Sequence, residues 1–269
     1  KALPAAAAVE FIHDFSLIHD EIQDRDETRH HRPTIWTIWG DAKALVAGNI
    51  LRLVADIAIW DSTDSKNEQG PNLELAIRLT QAYLEMIEGQ YLDLSYEGRH
   101  DITVENYMAM ISRKTGALIR CSLVAGALIG TQKPEILKAF EVSGRAFGMV
   151  FQIRDDYLGI WGQESATGKP VGADIRRRKN AFPFVYAMSK ASEKDKNDLL
   201  SIYKMLNVGE TDVKTALEII EKQGAREEAQ DLAKYYSDKA LMALTDIELK
   251  PRAKRDIEEL AHFLLVRDR

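Results

Sequence analysis

The sequence predicts an all-α protein, a bundle of about ten helices around a central cavity. Three observations carry that reading. Apolar residues recur at three- and four-residue steps along most of the chain, two-residue alternation is rare, and the periodic stretches are bracketed by residues that start or stop helices. The first helix runs from about Ala5 into an acidic cluster that begins at Asp20. A second follows Gly40-Asp41 through "AKALVAGNILRLVADIAIW" to the polar loop "DSTDSKNEQGPN", and a third covers "LELAIRLTQAYLEMIEGQYLDLSYEG". Thr103 caps "VENYMAMISRK", because its hydroxyl can take an orphan N–H at the helix start. The helix "GALIRCSLVAGALIG" follows almost at once. Pro134 suits a first turn, where its missing N–H is not needed, and opens a long helix reaching about Tyr157. After the charged loop "GQESATGKPVGADIRRRKN" come "FPFVYAMSK" and "SEKDKNDLLSIYKML", where Ser192 and Asp195 form a capping box. Thr211 starts a helix that Gly224 ends, and Pro251 opens the last one.

A chain of 269 residues, 45% of them hydrophobic, can bury a large core, and no linker, compositional break or repeat divides it. A single domain over 1–269 is expected. The net charge of -6 argues against general binding to nucleic acid or anionic membranes, which reward positive charge. Cys121 is the single cysteine, so an internal disulfide and a cysteine-based zinc site are both excluded, and the cytoplasm is the expected compartment. No apolar run is long enough for stable membrane insertion. The chain opens without an initiator Met on helical sequence, so a preceding N-terminal segment is expected.

Two acidic clusters end apolar helices. Asp20 and Asp24 stand four apart and so project from one face, with Glu21 beside them; Asp155 and Asp156 close the apolar run "FQIRDD". Carboxylates at a helix C-terminus oppose the macrodipole, so a compensating charge is expected at both. Carboxylate oxygens suit a hard divalent cation, and Mg²⁺ in particular is held by a few carboxylates together with substrate phosphates. Facing each other across a bundle, the clusters would hold a phosphorylated ligand through bridging metals. Nearby cations match phosphate oxygens: Arg29 and Arg32 after the first cluster, Lys169, Arg176–Arg178 and Lys179 after the second, and Lys114 in "SRKTG".

In chain order these segments are "DEIQD" at Asp20–Asp24, "RHHRPT" at Arg29–Thr34, "GQYLDL" at Gly89–Leu94, "KTG" at Lys114–Gly116, "FQIRDDYLG" at Phe151–Gly159 and "GKPVGAD" at Gly168–Asp174. Together they resemble the motifs of the trans-type polyprenyl diphosphate synthases, from Ala2 to about Pro183. Three positions depart from the family pattern: Glu21 stands for an aspartate, His30 for an arginine, and Gly159 for the last aspartate of the second motif. The family's upstream G-G-K-x-x-R-P element is absent, in keeping with the truncated opening.

The resemblance implies an isoprenoid synthase fold, a homodimer, and a reaction in which an allylic diphosphate ionises, isopentenyl diphosphate attacks the cation, and proton loss leaves a linear chain one isoprene unit longer. It implies three Mg²⁺ ions, with Asp20 and Asp24 on one side, Asp155 on the other, and Asp156 and Asp174 supporting. Lys114, Lys169 and Lys179 are implied to contact the allylic diphosphate, Arg29 and Arg32 to serve as phosphate-binding cations, with isopentenyl diphosphate assigned to Arg29, and Thr115 to orient the allylic chain. Phe151 and Gln152 each stand four residues before an aspartate and share its helical face. An aromatic face there could steady a carbocation. Phe15, five residues or about 7.5 Å before Asp20, with the small Ser16 beside it, resembles the floor of geranylgeranyl diphosphate synthases.

Other readings attach to the same residues. Farnesyl diphosphate is the second candidate product. A His-Asp metal phosphohydrolase would use His13, His19 and Asp20 but gives the second cluster no role; a terpene cyclase on the same scaffold and a non-catalytic regulatory subunit are raised by Gly159 and the other departures. Phe147 reads as ordinary core.

Overall fold

The structure is a computed structural model that describes residues 2–29, 32–60, 71–168 and 170–268. Helix α1 (Leu3–Asp24) is followed by a small hairpin, β1 (Thr28–Arg29) against β2 (Arg32–Pro33), then by α2 (Ile35–Trp39), α3 (Asp41–Trp60), α4 (Pro71–Tyr96), α5 (Val104–Lys114), α6 (Gly116–Gly130) and α7 (Pro134–Trp161). Two single turns, α8 (Glu164–Thr167) and α9 (Ala173–Arg176), lead to α10 (Phe182–Lys190), α11 (Glu193–Tyr203), α12 (Glu210–Lys222), α13 (Ala225–Met242) and α14 (Pro251–Val266). The fold is all-α, as the periodicity predicts.

Local expectations fared unevenly. Thr103 and Asn106 make a complete capping box on α5. At α11 only half forms: the Ser192 hydroxyl accepts the Asp195 N–H at 3.2 Å, while the Asp195 carboxylate turns to Lys222 at 2.7 Å. Helix α12 begins one residue before Thr211, with the Asp212 carboxylate taking the N–H of Gly209. Gly224, at φ +73, turns the chain directly into α13, which sequence reading passed over. The reason is that α13 buries only Ala225, Ala229, Ala233, Ser237 and Ala240, a face too small-sided to register as an apolar stripe.

Backbone packing groups the chain into two compact units, Lys1–Leu84 with Cys121–Leu137, and Glu85–Arg120 with Lys138–Arg269. In the first, α1 lies along α3 and buries Ala5, Ala8, Ile12, Phe15, Ile18 and Ile22, a three-four repeat that fixes which face turns inward. Ile18, Ile22 and Ala44 close one end of this packing against Ile35, Trp36 and Leu51. In the second unit the core joins α5, α7, α10, α11, α12 and α13 through Tyr107, Ile153, Ile160, Phe182, Phe184, Leu199, Ile220 and Ala229. Phe147 is fully buried, as expected of a core residue.

Candidate active site

On α1 the first cluster divides by face. Glu21 is buried and accepts the Nε–H of Arg29 at 2.6 Å, whereas Asp20 is half-buried and Asp24 exposed. Arg25 ends the helix in the left-handed region at φ 57 and pairs with Asp41 at 2.8 Å. The chain then returns through the hairpin, where the hydroxyl of Thr34 and the indole N–H of Trp36 both donate to the carbonyl of Asp26 at 2.8 Å. Arg29 is thus held against the first cluster by β1, while Arg32 on β2 is exposed. Below the carboxylates Phe15 is buried, edge-on to His19 at 4.5 Å and to Tyr83 at 5.5 Å. Gly48 lets α3 come close to the His19 ring, since a Cβ there would lie 2.7 Å from it. Ser16, half-buried, turns its hydroxyl back to the carbonyl of His13.

In the second unit, close backbone approaches position the predicted residues. A Cβ on Gly89 would overlap the backbone of Lys114, so glycine there lets α5 end against α4; one turn on, Asp93 accepts the Lys114 ammonium. Gly148 of α7 abuts Gly116 in the same way, with 2.5 Å from its would-be Cβ to the Gly116 Cα. That contact sets Thr115 beside α7, where its hydroxyl donates to Gln152 Oε1 at 2.6 Å. Gln152 in turn donates to Asp156 Oδ1 at 2.9 Å. Oδ2 of the same carboxylate accepts the Tyr107 hydroxyl and, at 2.7 Å, the N–H of Phe182, an orphan donor in the first turn of α10. Asp156 is 6% exposed, and burial, then the charge of Asp174, lifts its pKa to about 7. The Tyr107 hydroxyl is pushed well above its ordinary value by burial and then by Asp156.

Asp155 lies about 100° around the helix and faces outward with 59% of its side chain exposed. Arg267, just past α14, reaches it at 3.3 Å. Asp174, in the first turn of α9, lays its carboxylate over Gly159, so that any side chain at 159 would overlap it. Lys179 is exposed and is fastened by its N–H to the carbonyl of Asp174 at 2.9 Å. Lys169 lies outside the described residues. Within the basic run Arg176 pairs with Glu210 and Arg178 donates to the carbonyl of Met205, both at 2.8 Å. A cleft of about 430 Å³ in this unit, walled by Met108, Val142, Arg145, Met149, Tyr236 and Lys239 among others, includes none of the predicted site residues.

The family model for polyprenyl synthetases matches residues 1–220. The chain belongs to that family. The short chain isoprenyl diphosphate synthase of Methanothermobacter thermautotrophicus is 39% identical over 270 residues, spanning 99% of this chain and 80% of that protein. The crystal structure of the geranylgeranyl pyrophosphate synthetase of Pyrococcus horikoshii superposes with a TM-score of 0.92 at 38% identity, covering 99% of this chain and 80% of that one. That of the geranylgeranyl pyrophosphate synthase of Corynebacterium glutamicum, complexed with isoprenyl diphosphate and magnesium, gives 0.89 at 27% identity over 98% and 79%.

Membership in the polyprenyl synthetases gives the departures a physical reading. Gly159, where the family pattern has an aspartate, leaves the room that the Asp174 carboxylate fills. Glu21 uses its longer arm on Arg29. The His-Asp reading gives way to family membership; His19 lies edge-on to the Phe15 ring, with its Nε2 3.4 Å from the Leu45 carbonyl. Sequence reading missed Tyr107 and Arg267, and it placed Asp93 in the segment "GQYLDL" without giving it a role. An isolated tyrosine and an arginine more than a hundred residues from its partner carry no local signal; only the fold brings them to the motifs, and only the fold pairs Asp93 with Lys114.

Proposed function

We propose that this chain condenses isopentenyl diphosphate head to tail with an allylic diphosphate, and that its product is geranylgeranyl diphosphate. The observation that carries the reading is the hydrogen-bonded run Thr115, Gln152, Asp156, Tyr107, which holds "KTG" and "FQIRDD" together and leaves Asp155 pointing outward. A chain without catalytic work gains nothing from a buried carboxylate beside Asp174 and an outward one beside it, because such charges are costly to keep.

The donor set fits a hard divalent cation: Asp155 is exposed, Asp20 and Asp24 share the open face of α1, and all offer carboxylate oxygens. Magnesium, proposed as three ions, would supply Lewis-acid neutralisation of the diphosphate leaving group. Asp20, Asp24 and Asp155 would hold it and Asp174 would support them. Asp156, engaged on both oxygens by protein donors, would act from behind by fixing the end of α7. Lys114, Lys169 and Lys179 bind the allylic diphosphate in this proposal, Arg29 binds the isopentenyl diphosphate, and Arg32 serves as a further phosphate-binding cation. Phe151 offers a ring face to the allylic cation; that ring already carries a cation, the Arg267 guanidinium 4.3 Å from its centroid. Phe15 forms the floor under the growing chain, with Ser16 beside it.

One domain over the whole chain is part of the proposal, supported by a family match over residues 1–220 that takes in residues of both compact units. So is a homodimer. Val46, Ile50, Leu53, Ile57 and Trp60 are exposed on one face of α3, a stripe that a second copy would cover; sedimentation as a monomer would refute it. Among the described residues no helix is long and apolar enough to cross a membrane, and we place the enzyme in the cytoplasm.

The test is a product assay: isopentenyl diphosphate with dimethylallyl, geranyl or farnesyl diphosphate, with Mg²⁺ or with chelator, read by mass spectrometry. A metal-dependent linear twenty-carbon diphosphate is expected. A farnesyl product keeps the chemistry and sinks the floor. No elongation from any starter sinks the synthase reading in favour of a regulatory subunit, and a cyclised hydrocarbon made without isopentenyl diphosphate sinks it in favour of a cyclase.

A further inference from the structure

Arg267 is built into the end of α7. Its carbonyl accepts both prongs of Arg154, Nε at 2.9 Å and a terminal nitrogen at 2.8 Å, so the residue after α14 is clamped in position. Its own guanidinium stacks on Phe151 and donates to the Phe151 carbonyl at 3.2 Å and to Asp155 Oδ1 at 3.3 Å. The Arg267 side chain is only 9% exposed, while Asp155 is 59% exposed. The clamp on the backbone is therefore firm and the hold on the carboxylate loose. A charge-assisted bond of full strength is shorter than this one, about 2.7–2.9 Å, and arginine usually grips a carboxylate with two prongs rather than one. The Arg267 Nε, buried, finds no acceptor among the described residues.

Asp155 stands six residues inside the end of α7, and the cation that meets its outward carboxylate is Arg267. We propose that Arg267 is the resident counter-charge of Asp155, a positioning residue that holds the carboxylate in place of a divalent cation and gives it up when the cation arrives. Two positive charges cannot both sit on one Asp155 oxygen without repulsion, so Arg267 and the metal compete, and Arg267 sets how readily the second motif takes its metal. The inference rests on the proposal that Asp155 is a metal ligand.

Mn²⁺ binding to the full chain, measured without substrate from the free-ion EPR signal, tests it apart from turnover. Arg267→Gln should raise Mn²⁺ affinity by about two- to fivefold, the factor that an exposed ion pair supports. In an Asp155→Asn background the same substitution should do nothing, because the two changes act through one contact. Arg154→Met, which leaves Arg267 in the sequence but removes its clamp, should move affinity the same way by less. Unchanged or weaker binding in the variants overturns the inference, as does an equal gain in the Asp155→Asn background, which would mark a diffuse charge effect. In those cases the parent still binds Mn²⁺ and the metal reading stands; a parent that binds none overturns both.

Discussion

Replacing Tyr107 with phenylalanine removes one of the three donors that hold Asp156 and leaves Oδ2 with the Phe182 N–H alone. The cost depends on the charge of the carboxylate. Burial raises the Asp156 pKa to about 7 from 3.8, and the Tyr107 hydroxyl is among the groups that hold it down. A carboxyl whose folded pKa lies above its unfolded one favours folding when protonated. Its contribution is complete below the unfolded value and is lost as pH rises through the folded one, so stability should fall between about pH 4 and pH 7 on account of this residue. Near pH 5 the lost bond is to a neutral acid and should cost about 1 kcal/mol; near pH 8 it is to an anion and should cost about 2 kcal/mol. For a chain of this size the larger figure corresponds to a melting temperature lower by roughly 4–8 °C. Thermal unfolding of the parent, Tyr107→Phe and Asp156→Asn, in chelator to remove metal, measures each. The Tyr107→Phe deficit should widen from pH 5 to pH 8, and Asp156→Asn should flatten the parent's slope. A deficit equal at both pH values, or a slope that survives Asp156→Asn, would refute the assignment of this carboxyl.

Phe15→Ala removes the floor five residues below Asp20, and its product should lengthen beyond twenty carbons by at least one unit in the mass-spectrometric assay; an unchanged product puts the floor elsewhere. The same change should cost about 3 kcal/mol, since Phe15 is buried against His19 and Tyr83. Gly159→Ala drives a methyl into the Asp174 carboxylate, the far end of a side chain that must swing aside, and should lower activity with a stability loss of about 1 kcal/mol. Gly159→Asp, which restores the family's aspartate, should fare no better; parent-like melting for either would show that α9 yields without loss.

How much could be read from the sequence varied with how local the information was. Helices α1 and α7 announce themselves because their buried faces carry large residues at helical spacing; α3 is legible through large apolar residues that it leaves exposed, while α13 hides behind alanines. The two carboxylate clusters were legible because charge at the end of an apolar helix is locally anomalous. The role of Gly89 was not, because its meaning is a distance to Lys114, a residue on the next helix. The same holds for the pair Gly116 and Gly148, without which Thr115 would stand off from Gln152. Motif glycines and motif charges look equally important in a sequence; here the glycines set backbone distances and the charges use them.

Asp155 and Asp156 make the point most sharply. Adjacent in sequence, they look interchangeable, and a carboxylate pair invites the assumption that both bind metal. The helix turns them about 100° apart. One faces solvent and Arg267; the other points into the core, where Tyr107, Gln152 and Phe182 satisfy it. A site that must hold a highly charged ligand needs its outward carboxylate fixed to within a fraction of an ångström, and Asp155 sits in the last two turns of α7. Burying the second carboxylate ties those turns to α5 and α10, at the expense of a raised pKa and a fold that weakens as that group ionises. The pair is therefore one device with two parts, an anchor and a ligand, and the two substitutions should separate them: Asp155→Asn should abolish metal binding at α7 while leaving the pH dependence of stability intact, and Asp156→Asn should change that pH dependence first.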